Sequence, residues 1–236
     1  MDNKKKKVLI TGSSSGIGKT IAYELIEAGY QVFQTGRKQI DCVNYLNIDL
    51  SSLENVKILY DFVKENFGEI DVLINNAGGY LYSPIEKTTK EDIINLFNTN
   101  FLSHYYLTSL ITPDMKKNNW GRIINIASIS GVVGESNASL YSASKSAYYG
   151  FSKALALELA QNNITVNSIS PGWVETPLTE NALSDKEKEE TKEVIPQKRF
   201  VEPIEIANLV AYLISNEAKG ITGQNINLCA GLTCGC

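Results

Sequence analysis

The chain is short of metal-binding side chains, with one histidine, His104, and four cysteines, three of them crowded at 229, 234 and 236. Cys-x4-Cys-x-Cys matches no structural zinc spacing and His104 is distant in sequence, so no metal site is expected and the tail reads as reduced thiols. Long apolar runs are also missing. Behind Lys4-Lys5-Lys6-Lys7 stand only Val8, Leu9 and Ile10 before Thr11-Gly12, too few for the apolar part of a secretory signal. No stretch reaches the length of a membrane-crossing helix. The lysines therefore read as a solvated lead into a first strand, and the expected setting is cytoplasmic, without membrane contact. Nor is there a surplus of positive charge. The 22 Lys and Arg against 26 Asp and Glu leave a net charge of −4, which argues against a general nucleic-acid binder and for a small-molecule ligand. Internal repeats, low-complexity blocks and linkers are absent, so residues 1–236 read as a single domain.

What is present is an alternation of short β-rich runs with longer helical segments, the pattern of a parallel sheet covered on both faces. The runs are 7–11, 31–35, 43–48, 71–75, 121–127, 163–169 and 224–228. Ile17, Ile21, Leu25 and Ala28 recur at helical spacing from Gly16 to Ala28, ahead of Gly29. Ser51 to Glu54 has the form of a capping box opening the next helix, and Ser184 to Glu187 repeats it. The segment from Thr89 to about Lys117 is long, with a break expected near Asn98 to Asn100 or at Pro113. Another helix spans about Ala138 to Gln161 and is apolar on more than one face around Tyr148, Tyr149 and Phe151, which calls for cover from a second subunit. Pro203 suits the first turn of a last helix reaching about Ser215. The charge-rich segment at about 178–202 is either a substrate lid or a solvated excursion.

Two patterns carry chemistry. Thr11-Gly12-Ser13-Ser14-Ser15-Gly16-Ile17-Gly18 falls where the first strand turns into the first helix. Glycines there let the backbone approach a phosphate closely, and a helix N-terminus offers free N–H groups and a favourable dipole. The G-x-x-x-G-x-G spacing is neither G-x-G-x-x-G nor a P-loop. The second pattern is Tyr141-Ser142-Ala143-Ser144-Lys145, in which a helix stacks Tyr141 and Lys145 on one face. A phenol titrates near ~10, and an ammonium beside it would draw that value toward physiological pH, where acid–base work is efficient.

Further motifs follow in order: Asp49-Leu50, Asn75-Asn76-Ala77-Gly78, Asn100, Ser128 thirteen residues before Tyr141, Pro171-Gly172-Trp173-Val174-Glu175-Thr176 and Ile221-Thr222-Gly223-Gln224. Over essentially its whole length the chain resembles the short-chain dehydrogenases/reductases, of the single-domain type close to 3-oxoacyl-(acyl-carrier-protein) reductases. The resemblance implies an α/β, Rossmann-type doubly wound parallel sheet of about seven strands with helices on both faces, and a homotetramer. It implies an NADP-dependent oxidoreductase acting on CH–OH and C=O groups. In that reading Ser128 bonds the substrate oxygen and Tyr141 delivers a proton to it. Lys145 lowers the phenol's pKa and holds the nicotinamide ribose, and Asn100 binds a water linking Lys145 to solvent. Ser130 is a rival to Ser128, and the thirteen-residue interval selects Ser128. For the dinucleotide, the resemblance implies Gly12, Ser14, Ser15, Gly16, Ile17 and Gly18 in the glycine turn, with Asp49 and Leu50 at the adenine. Asn76, Ala77 and Gly78 pass under the adenosine ribose, and Pro171, Gly172, Val174 and Thr176 hold the carboxamide and diphosphate. A turn-capping role competes for Asp49. Trp173 is expected to line the substrate pocket, and His104 to be packed or at an interface.

Cofactor choice turns on Gln34-Thr35-Gly36-Arg37. A carboxylate there would bond the ribose 2′-hydroxyl of NAD. Gly36 followed by Arg37 suits a 2′-phosphate instead, so NADP(H) is expected, although the second basic residue of many NADP-using relatives is replaced here by Ser15. Asn119, with Lys116 and Lys117 nearby, and Asn162 stand where carrier-protein reductases dock the carrier with basic residues. Leu228-Cys229-Ala230-Gly231 replaces the common Val-Asp-Gly-Gly. Three readings follow. The first is an NADPH-dependent reductase of a ketone, a 3-oxoacyl thioester or related carbonyl, carrier- or CoA-linked or free. The second is a dehydrogenase of a sugar, polyol or steroid alcohol. The third is a non-catalytic dinucleotide-binding sensor or scaffold, against which intact Ser128, Tyr141 and Lys145 count.

Overall fold

The short β-rich runs form seven strands, β1 (Lys7–Thr11), β2 (Gln31–Gly36), β3 (Tyr45–Asn47), β4 (Val72–Asn75), β5 (Gly121–Ile126), β6 (Ile164–Pro171) and β7 (Asn225–Leu228). The computed structural model describes residues 6–234, so Lys4, Lys5 and Cys236 lie outside the described residues. The strands pair in parallel in the order β3-β2-β1-β4-β5-β6-β7. Side chains alternate across a strand. Val8 and Ile10 of β1, Ile74 of β4 and Ile124 of β5 therefore face one core, while Leu9, Leu73 and Ile123 face the other. Continuous apolar strands of this kind need cover on both sides. Each fully buried Leu or Ile contributes roughly 1.5–3 kcal/mol.

The helices are α1 (Gly16–Glu27), α2 (Leu53–Asn66), α3 (Lys90–Phe97), α4 (Ser103–Lys117), α5 (Ser130–Val133), α6 (Ser139–Leu159), α7 (Pro177–Ala182), α8 (Asp185–Val194) and α9 (Pro203–Ile214). Ile21 and Leu25 of α1 and Ile206, Val210 and Leu213 of α9 cover the first core. Val56 and Leu59 of α2, Leu107 and Ile111 of α4 and Leu159 of α6 cover the second. The result is the doubly wound α/β sheet expected. None of the described helices is long and apolar enough to cross a membrane.

Two local expectations need adjustment. Ser52, one residue later than expected, caps α2 by accepting the Asn55 N–H, because the Ser51 N–H is taken by Asp49 Oδ1 at 3.0 Å in the preceding turn. Pro113 does not break α4; the carbonyl whose helical N–H partner it removes belongs to Ser109, an exposed residue. The break falls at Asn98–Leu102, a π-helical turn. The Ser184 capping box and Pro203 at the start of α9 are as expected. Since β2 and β4 flank β1 and lead away in opposite directions, the C-terminal ends of β1 and β4 form the topological switch point where open α/β sheets bind ligands.

Candidate active site

The glycine turn leaves β1 at the switch point. Gly12 has φ +69°, and a Cβ on it would lie 2.7 Å from Ala77 Cα; one on Gly18 would lie 2.4 Å from both Asn76 Nδ2 and the Gly12 carbonyl oxygen. Only glycine fits either place. Thr11 Oγ1 accepts the N–H groups of Asn76 at 3.0 Å and Ala77 at 2.9 Å, and Asn76 Nδ2 donates to the Thr11 and Gly12 carbonyls, both at 2.9 Å. These bonds weld the β4 loop to the β1 turn. Ser15 caps α1 without a side-chain bond, and the first turn holds no acid. Its N–H groups and dipole are thus directed at the cleft, a cradle suited to a diphosphate.

That cleft, about 400 Å³, is lined by Gly12, Ser14, Ser15, Gly16, Ile17, Gly18, Arg37, Asp49, Leu50, Asn76, Ala77 and Gly78. Every one was expected there. Asp49 also caps the turn before α2 by accepting the Ser51 N–H, the competing role named for it. A Cβ at Gly36 would meet Ser14 Oγ at 2.8 Å and Tyr45 Oη at 2.9 Å, which crowds the place where an NAD-selecting carboxylate would stand. Lys38 lines the cleft next to Arg37; the Arg37-Lys38 dipeptide was the signal for it. Ile48 and Thr99 also line the cleft and carry no motif.

A second cavity of about 300 Å³ adjoins the first through Ile17, Thr176 and Leu178, which border both. Ser128, Tyr141 and Trp173, the residues expected at the substrate, line it, and so do Pro171, Gly172, Val174 and Thr176, which were expected to hold the carboxamide and diphosphate of the dinucleotide; of these four only Thr176 also borders the first cleft. Tyr141 meets Tyr80 edge to face, with ring centroids 4.9 Å apart. Burial pushes the Tyr141 phenol up to about 12, with the Ser128 hydroxyl acting in the opposite sense. This departs from the expected downward pull of Lys145. The reason is geometric: Lys145 Nζ donates to the Ile126 carbonyl at 2.9 Å and lies 5.9 Å from the Tyr141 ring centroid, and its own burial pulls it down to about 8.

Lys145 and Asn100 lie behind the cavity wall, 5% and 0% exposed. A Cβ on Gly78 would stand 3.3 Å from Asn100 Oδ1 and 3.5 Å from Lys145 Nζ, so both groups converge under the loop after β4. The π turn aims Asn100 there: its Nδ2 donates to the Gly79 carbonyl and to Ser144 Oγ, each at 3.0 Å, and its Oδ1 accepts the Gly79 N–H at 2.7 Å. Ser144 Oγ in turn donates to the Tyr141 carbonyl at 2.7 Å. His104 is fully buried and pushed down to about 3, chiefly by burial. Thr11 Oγ1 already accepts two N–H groups, so its proton goes to His104 Nε2 at 3.1 Å and the ring carries its own proton on Nδ1, facing Tyr148 Oη. His104 is thus a packed, neutral brace, as expected.

Tyr80, Glu135 and Leu232 of this cavity escaped sequence reasoning, while Ser130, the rival serine, and Leu178, the first residue of the candidate lid, also line the wall. Leu232 comes from the unusual tail, whose Cys229 is buried against Gly172 so closely that a Cβ on that glycine would stand 2.9 Å from Cys229 Cβ. Among the described residues no group of His, Cys, Asp and Glu could hold a metal ion.

Residues 6–187 match the family described as short chain dehydrogenase. The chain is 33% identical to 3-oxoacyl-(acyl-carrier-protein) reductase FabG of Vibrio cholerae over 237 residues, 96% of this chain and 97% of that protein. Among solved structures it is similar to the ligand-free aldohexose dehydrogenase of Thermoplasma acidophilum, with a TM-score of 0.91 and 30% identity over 97% of this chain and 94% of the other. It is also similar to ElxO with NADP bound, with a TM-score of 0.88 and 28% identity over 97% and 98% of the two chains.

Proposed function

The chain belongs to the short chain dehydrogenase family and is an oxidoreductase, and from that premise we propose that it is an NADPH-dependent reductase of a ketone, a 3-oxoacyl thioester or related carbonyl, with Tyr141 as proton donor. The observation that carries this reading is the junction of the two cavities. The Tyr141 and Ser128 hydroxyls line one, the anion cradle and Arg37 line the other, and Ile17, Thr176 and Leu178 border both.

When bound, NADPH supplies the hydride. The residues present fit it: the α1 N-terminus would face the diphosphate, and Arg37 with Lys38 would offer two cations to a 2′-phosphate where Gly36 leaves no carboxylate. The NADP-bound ElxO neighbour supports the same choice. The Ser128 hydroxyl holds the carbonyl oxygen and stabilises charge developing on it. Burial keeps the phenol of Tyr141 protonated, up to about 12, so its proton is in place to be given. Lys145, charged below about 8, stabilises the phenolate that the donation leaves and contributes to holding the nicotinamide ribose. Asn100 braces the Gly78 loop and, through Ser144, the backbone of Tyr141, and in this reading a water at Asn100 completes the proton route from Lys145 to solvent.

The likeness to an aldohexose dehydrogenase favours a second reading, oxidation of a sugar-like alcohol by the same residues. A panel of ketones and alcohols run in both directions with both nicotinamides separates the two. NADPH consumption with a ketone supports the first; absence of turnover on any carbonyl or alcohol, with NADPH still bound, overturns both. The proposed assembly is a homotetramer. It is supported by the outer face of α4 and α6, where Tyr105 is 52% exposed and Leu157 83% exposed. Light scattering that returns a monomer at micromolar concentration would overturn it. The proposed lid is α7 and the segment after it, supported by Leu178, Thr179 and Ala182 on the substrate cavity wall. The proposed setting is cytoplasmic, supported by free thiols at Cys42, Cys229 and Cys234.

A further inference from the structure

The wall of the substrate cavity is largely apolar, and among the described residues Glu135 is the one charged residue on it. Backbone geometry sets the carboxylate there: the chain turns through Gly134 at φ +78° and Asn137 at φ +59°. The turn is clamped by the Ser83 N–H donating to the Asn137 carbonyl at 2.6 Å and by Asn137 Nδ2 donating to Tyr82 Oη at 3.0 Å. Tyr80 Oη donates to Glu135 Oε1 at 2.5 Å and Ser130 Oγ donates to Oε2 at 2.8 Å. Each oxygen keeps accepting capacity beyond that one bond. Among the described residues no cation forms an ion pair with Glu135. A half-buried carboxylate without a counter-charge favours any ligand that brings a donor or a positive charge, and disfavours one that brings a second anion.

Ser128 Oγ stands 3.2 Å from Ser130 Oγ, so Glu135 is two hydrogen-bond lengths from the hydroxyl that would hold the substrate oxygen. We propose that Glu135 is the specificity-determining residue of this cavity. It accepts a hydrogen bond from an O–H, N–H or ammonium group a few bonds from the reacting carbonyl, and it excludes ketones with a carboxylate or phosphate at that place. The substrate class is therefore an uncharged or cationic ketone bearing a donor, of the hydroxyketone, aminoketone or amide-bearing kind. This inference rests on the reductase reading and narrows it.

The test uses a matched series of short ketones that differ only in a methyl, hydroxyl, ammonium or carboxylate group beside the carbonyl. Each is scored in two ways, by kcat/KM with NADPH and by ligand-induced thermal shift of the NADPH-bound protein. The wild type should prefer the hydroxyl and ammonium compounds over the carboxylate by about tenfold or more, and Glu135→Gln should shrink that ratio by about tenfold. Glu135→Gln keeps an acceptor for Tyr80 or Ser130, so a merely structural role would lower all four compounds alike and leave the ratio unchanged. That outcome overturns the proposal, as does a wild type indifferent to the charge. Ser130→Ala, which removes a bond to Glu135 but no charge, should keep the charge preference. Charge-selective binding without turnover would refute the reductase reading and leave Glu135 standing. Turnover without charge preference would do the reverse.

Discussion

The two cavities are built by different means. The first cleft is made mostly of backbone: glycines at 12 and 18 that tolerate no Cβ, an open helix N-terminus, and a β4 loop stitched to β1 by four hydrogen bonds among Thr11, Gly12, Asn76 and Ala77. The second cavity is made of side chains delivered by separate loops and by α7, Tyr80, Glu135, Trp173, Leu178 and Leu232 among them. Backbone recognises what is common to every dinucleotide, while loop side chains can change without disturbing the sheet. Tyr141 and Ser128 belong to the second cavity by position, yet the chemistry proposed for them requires the first.

The contrast yields predictions that should separate cofactor effects from substrate effects. The largest concerns Tyr141→Phe, which removes the proton donor and leaves the ring against Tyr80. Turnover should fall by about 10³-fold or more while NADPH affinity, measured by fluorescence titration, stays within about twofold. A comparable loss of NADPH affinity would mean that the two cavities are not separable. Gly18→Ala attacks the other side. With 2.4 Å available, the turn must open, so the KM for NADPH should rise about 100-fold and the melting temperature should drop by several degrees, about 1–3 kcal/mol of overpacking. An unchanged KM would show that the cradle does not touch the cofactor. Arg37→Ala should leave folding intact and reduce the NADPH over NADH preference by about 10- to 100-fold, the value of a charge-assisted bond to phosphate. If the preference is untouched, the 2′-phosphate is read elsewhere.

The smallest effect is in pH. Lys145 is held down to about 8, so its ammonium is present below that pH and lost above it. The kcat/KM for NADPH reports the free enzyme. It should be level at lower pH and fall about tenfold between pH 7 and pH 9, and a profile flat to pH 9 would remove Lys145 from the proton path.

Much of the framework was legible because it depends on local signals. Apolar strands, the glycine turn and the Pro203 and Ser184 starts each declare themselves over a few residues. The adjustments came where a nearby bond competed: Asp49 captured the Ser51 amide and moved a cap by one place, and exposure at Ser109 allowed Pro113 into a helix. Lys145 was aligned with Tyr141 correctly along the helix, but spacing does not state what the ammonium bonds to, and the Ile126 carbonyl lies nineteen residues away in sequence. Glu135 and Tyr80 were hidden for a related reason, since the bond joining them spans 55 residues of chain and no periodicity reports it.

The strand order has a consequence for how the molecule is made. After β2 has paired with β1 and β3 with β2, β4 pairs with the free side of β1, and β5, β6 and β7 each join the edge left by the strand before. No strand has to be inserted between two that are already paired. A chain emerging from the ribosome N-terminus first can therefore extend its sheet in the order of translation. The glycine turn is available early in that process, while the second cavity waits for Leu232.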